Sequence, residues 1–264
     1  MNLNELIDIA ITAAIRAGEK ITDVYSSVDF HIDLKEDLSP VTIADRNAHD
    51  EIVRILEITR FPVLSEEGIH SGFEERMDWD LFWLVDPLDG TKEFIKRNDE
   101  FTVNIALIKE NHPIAGVIYV PVTRELFVGV LGTGAFRLLN PEENCTFHFM
   151  QHTGMQLPEK NNQIEFIVAA SRSHMNPETE TYIENLRQKH GFITVLNMGS
   201  SLKLCRIAEG KVTIYPKFGH TMEWDIAAGH AILKAAGKNI YLIDMKTELI
   251  YNKEDLHNPY FIAI

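Results

Sequence analysis

Asp86-Pro87-Leu88-Asp89 stands where the apolar run Trp83-Leu84-Val85 gives way to Gly90. Proline and glycine force a turn there, and that turn can aim both carboxylates and the main-chain carbonyl of Leu88 at one point. An all-oxygen set of this kind suits a hard divalent cation. Asp-Pro and Asp-Gly are also ordinary turn dipeptides, so this segment alone leaves a plain turn open.

Other acids fall at the ends of expected elements: Asp37, Asp45, the pair Glu66-Glu67 after Ser65, and Asp225 behind Trp224. Each has a local use as well. Asp45, three residues after Thr42, could complete a capping box; Asp225 would sit in the first turn of a helix, where the dipole favours anions; Glu66 and Glu67 could be a solvated charge pair. Convergence of several of them would create a repulsion that only bound cations or protonation can offset. The candidate ligands are carboxylates and a carbonyl, without His or Cys, so magnesium fits better than calcium or zinc, and manganese could substitute. Two such ions bridged by a carboxylate can activate a water and neutralise a phosphate and its departing alkoxide, with no covalent enzyme intermediate. Thr91 follows the acidic turn directly. Its hydroxyl could orient that water or take its proton, particularly if linked to Asp37 or Glu66, or it could cap a helix.

These side chains need elements to carry them. Leu6, Ala10, Ala13, Ala14, Ala17 and Ile21 recur at three- and four-residue steps and predict a core-facing first helix; a second opens near Thr42 with Ala48, Ile52, Ile55 and Leu56 on its buried side. Residues 62–65 and 82–85 read as short strands, each running into carboxylates. Segments 102–108, 116–120, 125–130 and 134–139 predict an antiparallel meander, with a turn at Asn111, His112 and Pro113. Residues 140–163 are polar and without sustained periodicity, the best candidate for a connection between halves. Beyond it, strand-like runs at 166–170, 192–196, 212–215 and 240–243 alternate with helical patterns, as a layered α/β arrangement requires. The expected division is an α+β domain over 1–160 carrying most of the metal ligands and an α/β domain over 161–264 carrying Asp225.

With 264 residues, 45% of them hydrophobic, the chain can form a large core, and a net charge of −14 without any Lys/Arg-rich run argues against nucleic acid as a partner. Cys145 and Cys205 lie far apart with no metal-ligand spacing, so neither a disulfide framework nor a zinc site is indicated. No secretory signal and no membrane-spanning run is evident. A cytoplasmic protein is expected, with peripheral attachment to the inner membrane left open.

The sequence resembles the lithium-sensitive, magnesium-dependent phosphatase superfamily of inositol monophosphatases, fructose bisphosphatases and 3′(2′),5′-bisphosphate nucleotidases. The likeness rests on four segments taken together: Lys35-Glu-Asp37-Leu-Ser-Pro-Val-Thr42-Ile-Ala-Asp45, Ser65-Glu66-Glu67, Asp86-Pro-Leu-Asp89-Gly-Thr91 and Glu223-Trp-Asp225-Ile-Ala-Ala-Gly229. It implies a layered αβαβα sandwich with the site between the halves. It implies Glu66, Asp86, the Leu88 carbonyl, Asp89 and Asp225 as ligands of two or three magnesium ions, with Asp37, Asp45 and Thr91 around the water or a third ion, and inhibition by lithium. Lys35-x-Asp37-x-Ser-Pro-Val-Thr, Thr91-Lys-Glu-Phe-Ile-Lys-Arg-Asn98 and Gly199-Ser-Ser-Leu-Lys203 look most like the bacterial bisphosphate nucleotidase branch. That likeness implies hydrolysis of the 3′-phosphate of adenosine 3′,5′-bisphosphate, a by-product of sulfate assimilation, to AMP. Glu66, Leu88, Asp89, Gly90, Thr91 and Asp225 would meet the substrate, and His174, Ser200, Lys203 and Lys217 would hold the remaining phosphate and sugar. Lys203 could equally be a surface lysine. One departure is Gly219-His220-Thr221, where that branch usually has proline before the threonine. An inositol monophosphatase and a non-catalytic nucleotide sensor are the competing expectations, and the sequence is silent on oligomeric state.

Overall fold

The computed structural model describes residues 1–27, 32–34, 40–69, 71–159, 165–173 and 175–264. In chain order the elements are α1 (Leu3–Tyr25), β1 (Ile32–Leu34), β2 (Pro40–Thr42), α2 (Ile43–Leu56), β3 (Val63–Ser65), α3 (Phe73–Arg76), β4 (Leu81–Asp89), α4 (Thr91–Ile95), β5 (Thr102–Lys109), β6 (His112–Val120), β7 (Glu125–Val130) and β8 (Gly134–Leu139). They continue as α5 (Phe147–Thr153), β9 (Met155–Leu157), β10 (Phe166–Ser171), α6 (Pro177–His190), β11 (Ile193–Met198), α7 (Leu202–Ala208), β12 (Tyr215–Lys217), α8 (Glu223–Ala235), β13 (Ile240–Leu242) and β14 (Phe261–Ala263). No helix among the described residues is long and apolar enough to cross a membrane.

Helix α1 begins at a capping box in which Asn2 accepts from the Glu5 N–H and Glu5 accepts from the Asn2 N–H. The alanine-rich stripe read from the sequence is its buried face, and the small side chains let α1 lie close to α2 and to the sheet beneath. That sheet has seven strands in the order β3-β4-β5-β6-β7-β8-β9, antiparallel throughout except for the β3/β4 pair. Its inner strands are buried on both faces, which is why they read as unbroken apolar runs without alternation. One face packs on α1 and α2, and the other packs on α8. Beyond α8 lie the three-stranded sheet β12-β14-β13 and the parallel pair β10-β11, with α6 outermost. The layers therefore run helix, sheet, helix, sheet, helix, and the expected αβαβα sandwich is the observed fold.

Helix α8 lies against the large sheet at backbone contact. Gly116 and Gly129 are cross-strand partners on β6 and β7, and a Cβ at Gly116 would stand 2.2 Å from the Ala228 carbonyl oxygen, one at Gly129 2.5 Å from Ile232 Cα. Backbone atoms cannot move aside as a side-chain tip would, so Gly116→Ala is expected to cost about 2 kcal/mol through forced separation of α8 from the sheet. A urea denaturation midpoint within error of the parent's would refute that contact. Helix α7 is tied down separately. Fully buried Glu209, just past its end, pairs with Arg206 at 2.8 Å, Arg137 at 2.9 Å and Lys211 at 3.1 Å, and Glu125 on β7 pairs with Arg137 at 2.8 Å and Arg206 at 3.1 Å.

Several expectations need correction. Strand β4 runs past Val85 through the acidic turn to Asp89. The β5/β6 turn sits at Glu110-Asn111, both with positive φ as a two-residue hairpin loop demands, so His112 and Pro113 already belong to β6. The stretch expected to be a bare connection over 140–163 holds α5 and β9. Each is too short to leave a periodic signal: α5 is seven residues capped by Thr146 and buries only Phe147 and Met150, and β9 adds three residues to the sheet edge beside β8. The strand expected at 212–215 is displaced to β12, and β14 carried no recognised signal. The boundary expected near residue 160 falls outside the described residues.

Candidate active site

Parallel pairing of β3 with β4 aligns Ser65 with Val85, and the Glu66 N–H then donates to the Val85 carbonyl at 3.1 Å. The last residue of one strand and its neighbour on the next thus deliver Glu66 beside Asp86. Spacing within the Asp-Pro-Leu-Asp turn has its own logic. Residues three apart on a regular strand face opposite sides of a sheet, yet Asp86 pairs with Asn104 and Asp89 with Thr102, two residues apart on β5. A bulge absorbs the extra residue and brings both aspartates onto one face. The Asp86 carboxylate steadies the turn by accepting from the Leu88 N–H at 3.1 Å, and Gly90 leaves it with φ of 97°.

Asp225 arrives from the other side of the molecule as the third residue of α8, where it accepts from the Met222 N–H at 2.8 Å. Carboxylate oxygens of Glu66, Asp86 and Asp225 lie within 4.8 Å of one another. Burial pushes the carboxyls of Asp86 and Asp225 well above the usual carboxylate range, and the neighbouring acids push further: Glu66, Asp89 and Asp225 on Asp86, Asp89 and Glu66 on Asp225. Asp89 is also raised by burial, against the lowering effects of Lys203 and of hydrogen bonds from Ser201 and Asn104. Such crowding of buried acids is what a hard divalent cation relieves, so the donor set fits magnesium.

Asp45 completes the expected capping box and also touches Thr91. One of its oxygens accepts from the Thr42 N–H at 2.7 Å and the Thr42 hydroxyl at 2.6 Å, while the other accepts from the Thr91 hydroxyl at 3.0 Å. Burial raises this carboxyl too. Thr91 does not cap α4: its hydroxyl reaches Asp45 and, at 3.4 Å, the Leu88 carbonyl. Asp37 and His174 lie outside the described residues.

Glu66, Asp89, Thr91 and Asp225 line a cavity of about 320 Å³ together with Lys203 and Lys217. Gly90, Ser200 and the unusual His220 line it as well. Lys203 is buried rather than a surface lysine: its ammonium donates to the Ser200 carbonyl at 2.6 Å and the Met198 carbonyl at 3.2 Å and stands over the Tyr215 ring at 5.3 Å. Burial brings its pKa down to about 8, against the upward effect of Asp89. Lys217 is likewise lowered by burial, with Asp225 and Asp89 acting upward. Sequence reasoning missed Asn104 and Ser201, which bond to Asp89; a lone asparagine inside the apolar run of β5 was the available signal.

The profile of the inositol monophosphatase family matches residues 2–260. The chain belongs to the inositol monophosphatase family. Members of this family are metal-dependent phosphatases, generally with magnesium. Among its relatives is the 3′(2′),5′-bisphosphate nucleotidase CysQ of Salmonella typhimurium, 40% identical over 251 residues, which cover 94% of this chain and 95% of that protein. The enzyme of the same name from Escherichia coli strain K12 is 39% identical over 259 residues, 97% of this chain and 98% of that one. The crystal structure of CysQ from Bacteroides thetaiotaomicron superposes with a TM-score of 0.92 at 51% identity, covering 99% of this chain and 97% of that one.

Proposed function

We propose that this member of the family is a magnesium-dependent 3′(2′),5′-bisphosphate nucleotidase that hydrolyses the 3′-phosphate of adenosine 3′,5′-bisphosphate to give AMP and phosphate. The observation that carries the reading is the meeting of Glu66, Asp86 and Asp225 from three separate parts of the chain, two of them, Glu66 and Asp225, lining a cavity that also holds two buried lysines. One end then suits cations and a phosphoryl group, and Lys203 and Lys217 suit a second anionic group. Relatives named 3′(2′),5′-bisphosphate nucleotidase match nearly the whole chain and support a bisphosphorylated nucleotide as the substrate.

Glu66, Asp86, the Leu88 carbonyl, Asp89 and Asp225 would hold two or three magnesium ions. When bound, magnesium makes a water nucleophilic at neutral pH and neutralises charge on the phosphate and on the departing 3′-oxygen. Thr91 holds the attacking water: its hydroxyl gives its own hydrogen to Asp45 and so keeps its lone pairs for the water's proton. Asp45 is fixed for this by its two bonds to Thr42. Lys203, Lys217, Ser200 and His174 hold the remaining phosphate and the sugar, Gly90 allows close approach, and Asp37 assists around the water. We place the division of labour at 1–160 for most metal ligands and 161–264 for Asp225 and the nucleotide contacts, in a cytoplasmic setting.

Phosphate release from adenosine 3′,5′-bisphosphate, its sulfated precursor and inositol 1-phosphate tests the reading. The expected result is preference for the bisphosphate, loss of activity with a chelator, recovery with magnesium or manganese, and inhibition by lithium at roughly millimolar levels, where a weak oxygen-ligated site fills. Faster hydrolysis of the inositol ester would make the chain an inositol monophosphatase, and no turnover on any of them would make it a sensor.

A further inference from the structure

Asp89 is held differently from the other acids of the site. One of its oxygens, Oδ2, accepts from the Ser201 N–H at 2.6 Å, the Ser201 hydroxyl at 2.7 Å and the Asn104 side-chain amide at 3.4 Å. With that oxygen fully engaged, only Oδ1 is left to face a cation, so the carboxylate can offer one ligand atom in one direction.

Ser201 does more than hold Asp89. Its one hydroxyl hydrogen is shared between Asp89 and the main-chain carbonyl of Asp225, 2.8 Å away, and the hydroxyl oxygen accepts from the Asn104 amide at 2.9 Å. A single buried hydroxyl therefore spans the gap between the end of β4 and the first turn of α8, the two segments that carry Asp89 and Asp225. Asn104 is in turn oriented by the Thr102 hydroxyl, which donates to its Oδ1 at 2.9 Å, and Thr102 accepts from Ser200 at 3.3 Å. Because Oδ1 of Asn104 is occupied by a donor, its Nδ2 must point at Ser201 and Asp89. Thr102 and Asn104 are completely buried and stand on β5 opposite Asp89 and Asp86, so this chain of polar groups forms the floor beneath the acidic turn.

We propose that Ser201, oriented by Asn104 and Thr102, is a positioning residue: it fixes Asp89 as a one-oxygen cation ligand and sets the distance between Asp89 and Asp225. The inference rests on the metal-dependent reading of the site. It assigns Ser201 no contact with the nucleotide, although Ser201 borders the cavity.

The test is magnesium binding by the full chain, read from the shift of the thermal unfolding midpoint during a magnesium titration without substrate, alongside kinetics on adenosine 3′,5′-bisphosphate. In Ser201→Ala and in Asn104→Ala, the magnesium concentration needed for a given shift should rise about 10- to 100-fold, the usual consequence of losing a group that orients a metal ligand. The magnesium needed for half-maximal rate should rise in parallel, KM for the nucleotide at saturating magnesium should stay within roughly twofold, and Ser201→Thr, which keeps the hydroxyl, should restore the magnesium response. An unchanged magnesium requirement in both alanine variants overturns the proposal, as does a raised KM with an unchanged requirement, which would make Ser201 a substrate contact. If Ser201→Ala does not fold, Asn104→Ala and Thr102→Val carry the same expectation. A parent protein that binds magnesium but does not hydrolyse the bisphosphate would refute the nucleotidase reading while leaving the titration to decide the role of Ser201.

Discussion

Asp86→Asn is expected to slow phosphate release by about 10³-fold, equivalent to ~4 kcal/mol of transition-state stabilisation, and at the same time to make the metal-free protein more stable. The two effects have one cause. Asp86 is almost completely buried among Glu66, Asp89 and Asp225, so without a cation its charge is opposed by burial and by three neighbours. An amide of nearly the same size removes that opposition and is a poorer ligand for a hard cation. Relief of the repulsion should raise the thermal midpoint of the chelator-treated protein by roughly 5 °C, or about 2 kcal/mol, while the further rise that magnesium gives the parent is largely lost. The pH dependence follows the same sign. Because the carboxyls of Asp86, Asp89 and Asp225 are raised in the folded protein, the native state holds protons that the unfolded chain has released above about pH 4. Stability of the metal-free parent from this set therefore falls as pH rises through their folded values, and Asp86→Asn should flatten that dependence. A metal-free variant less stable than the parent, with an undiminished magnesium response, would show that these acids do not share a cation.

How far the sequence led depends on the kind of interaction involved. The acids were legible because Asp86-Pro-Leu-Asp89 and Glu223-Trp-Asp225 each mark a sharp end of an element, and local turn and cap chemistry survives into the fold. Why Asp86 and Asp89 share a face was not legible: it depends on a bulge that exists only once β5 pairs with β4. Helix α1 announced itself through six regularly spaced buried residues, whereas α5 and β9 bury too few side chains to produce a period. Lys203 reads as solvent-facing by residue type, yet the carbonyls of Met198 and Ser200 and the Tyr215 ring give its ammonium a buried seat. Ser201 is the same kind of case. No local pattern marks it, because its partners Asn104 and Asp225 lie far along the chain.

Thr91→Val should lower the rate by about 10²- to 10³-fold with little change in magnesium response, separating it from the ligand variants. Valine fills the same space, so what is lost is the hydroxyl that bonds to Asp45 at 3.0 Å and lies 3.4 Å from the Leu88 carbonyl. Thr91→Ser keeps that oxygen and should retain most of the rate if, as proposed, the hydroxyl and not the methyl group meets the water. Asp45→Asn tests the next link. Its amide can still accept from Thr91 through the carbonyl oxygen, but it cannot take up a proton, and turning its NH2 toward Thr42 sets two donors facing each other. If Thr91 and Asp45 act as one unit, the double variant Thr91→Val with Asp45→Asn should be scarcely slower than the worse of the two single variants, because each already breaks the same proton path. Losses that multiply would mean that Asp45 serves only to cap α2 and that Thr91 handles the water's proton without it.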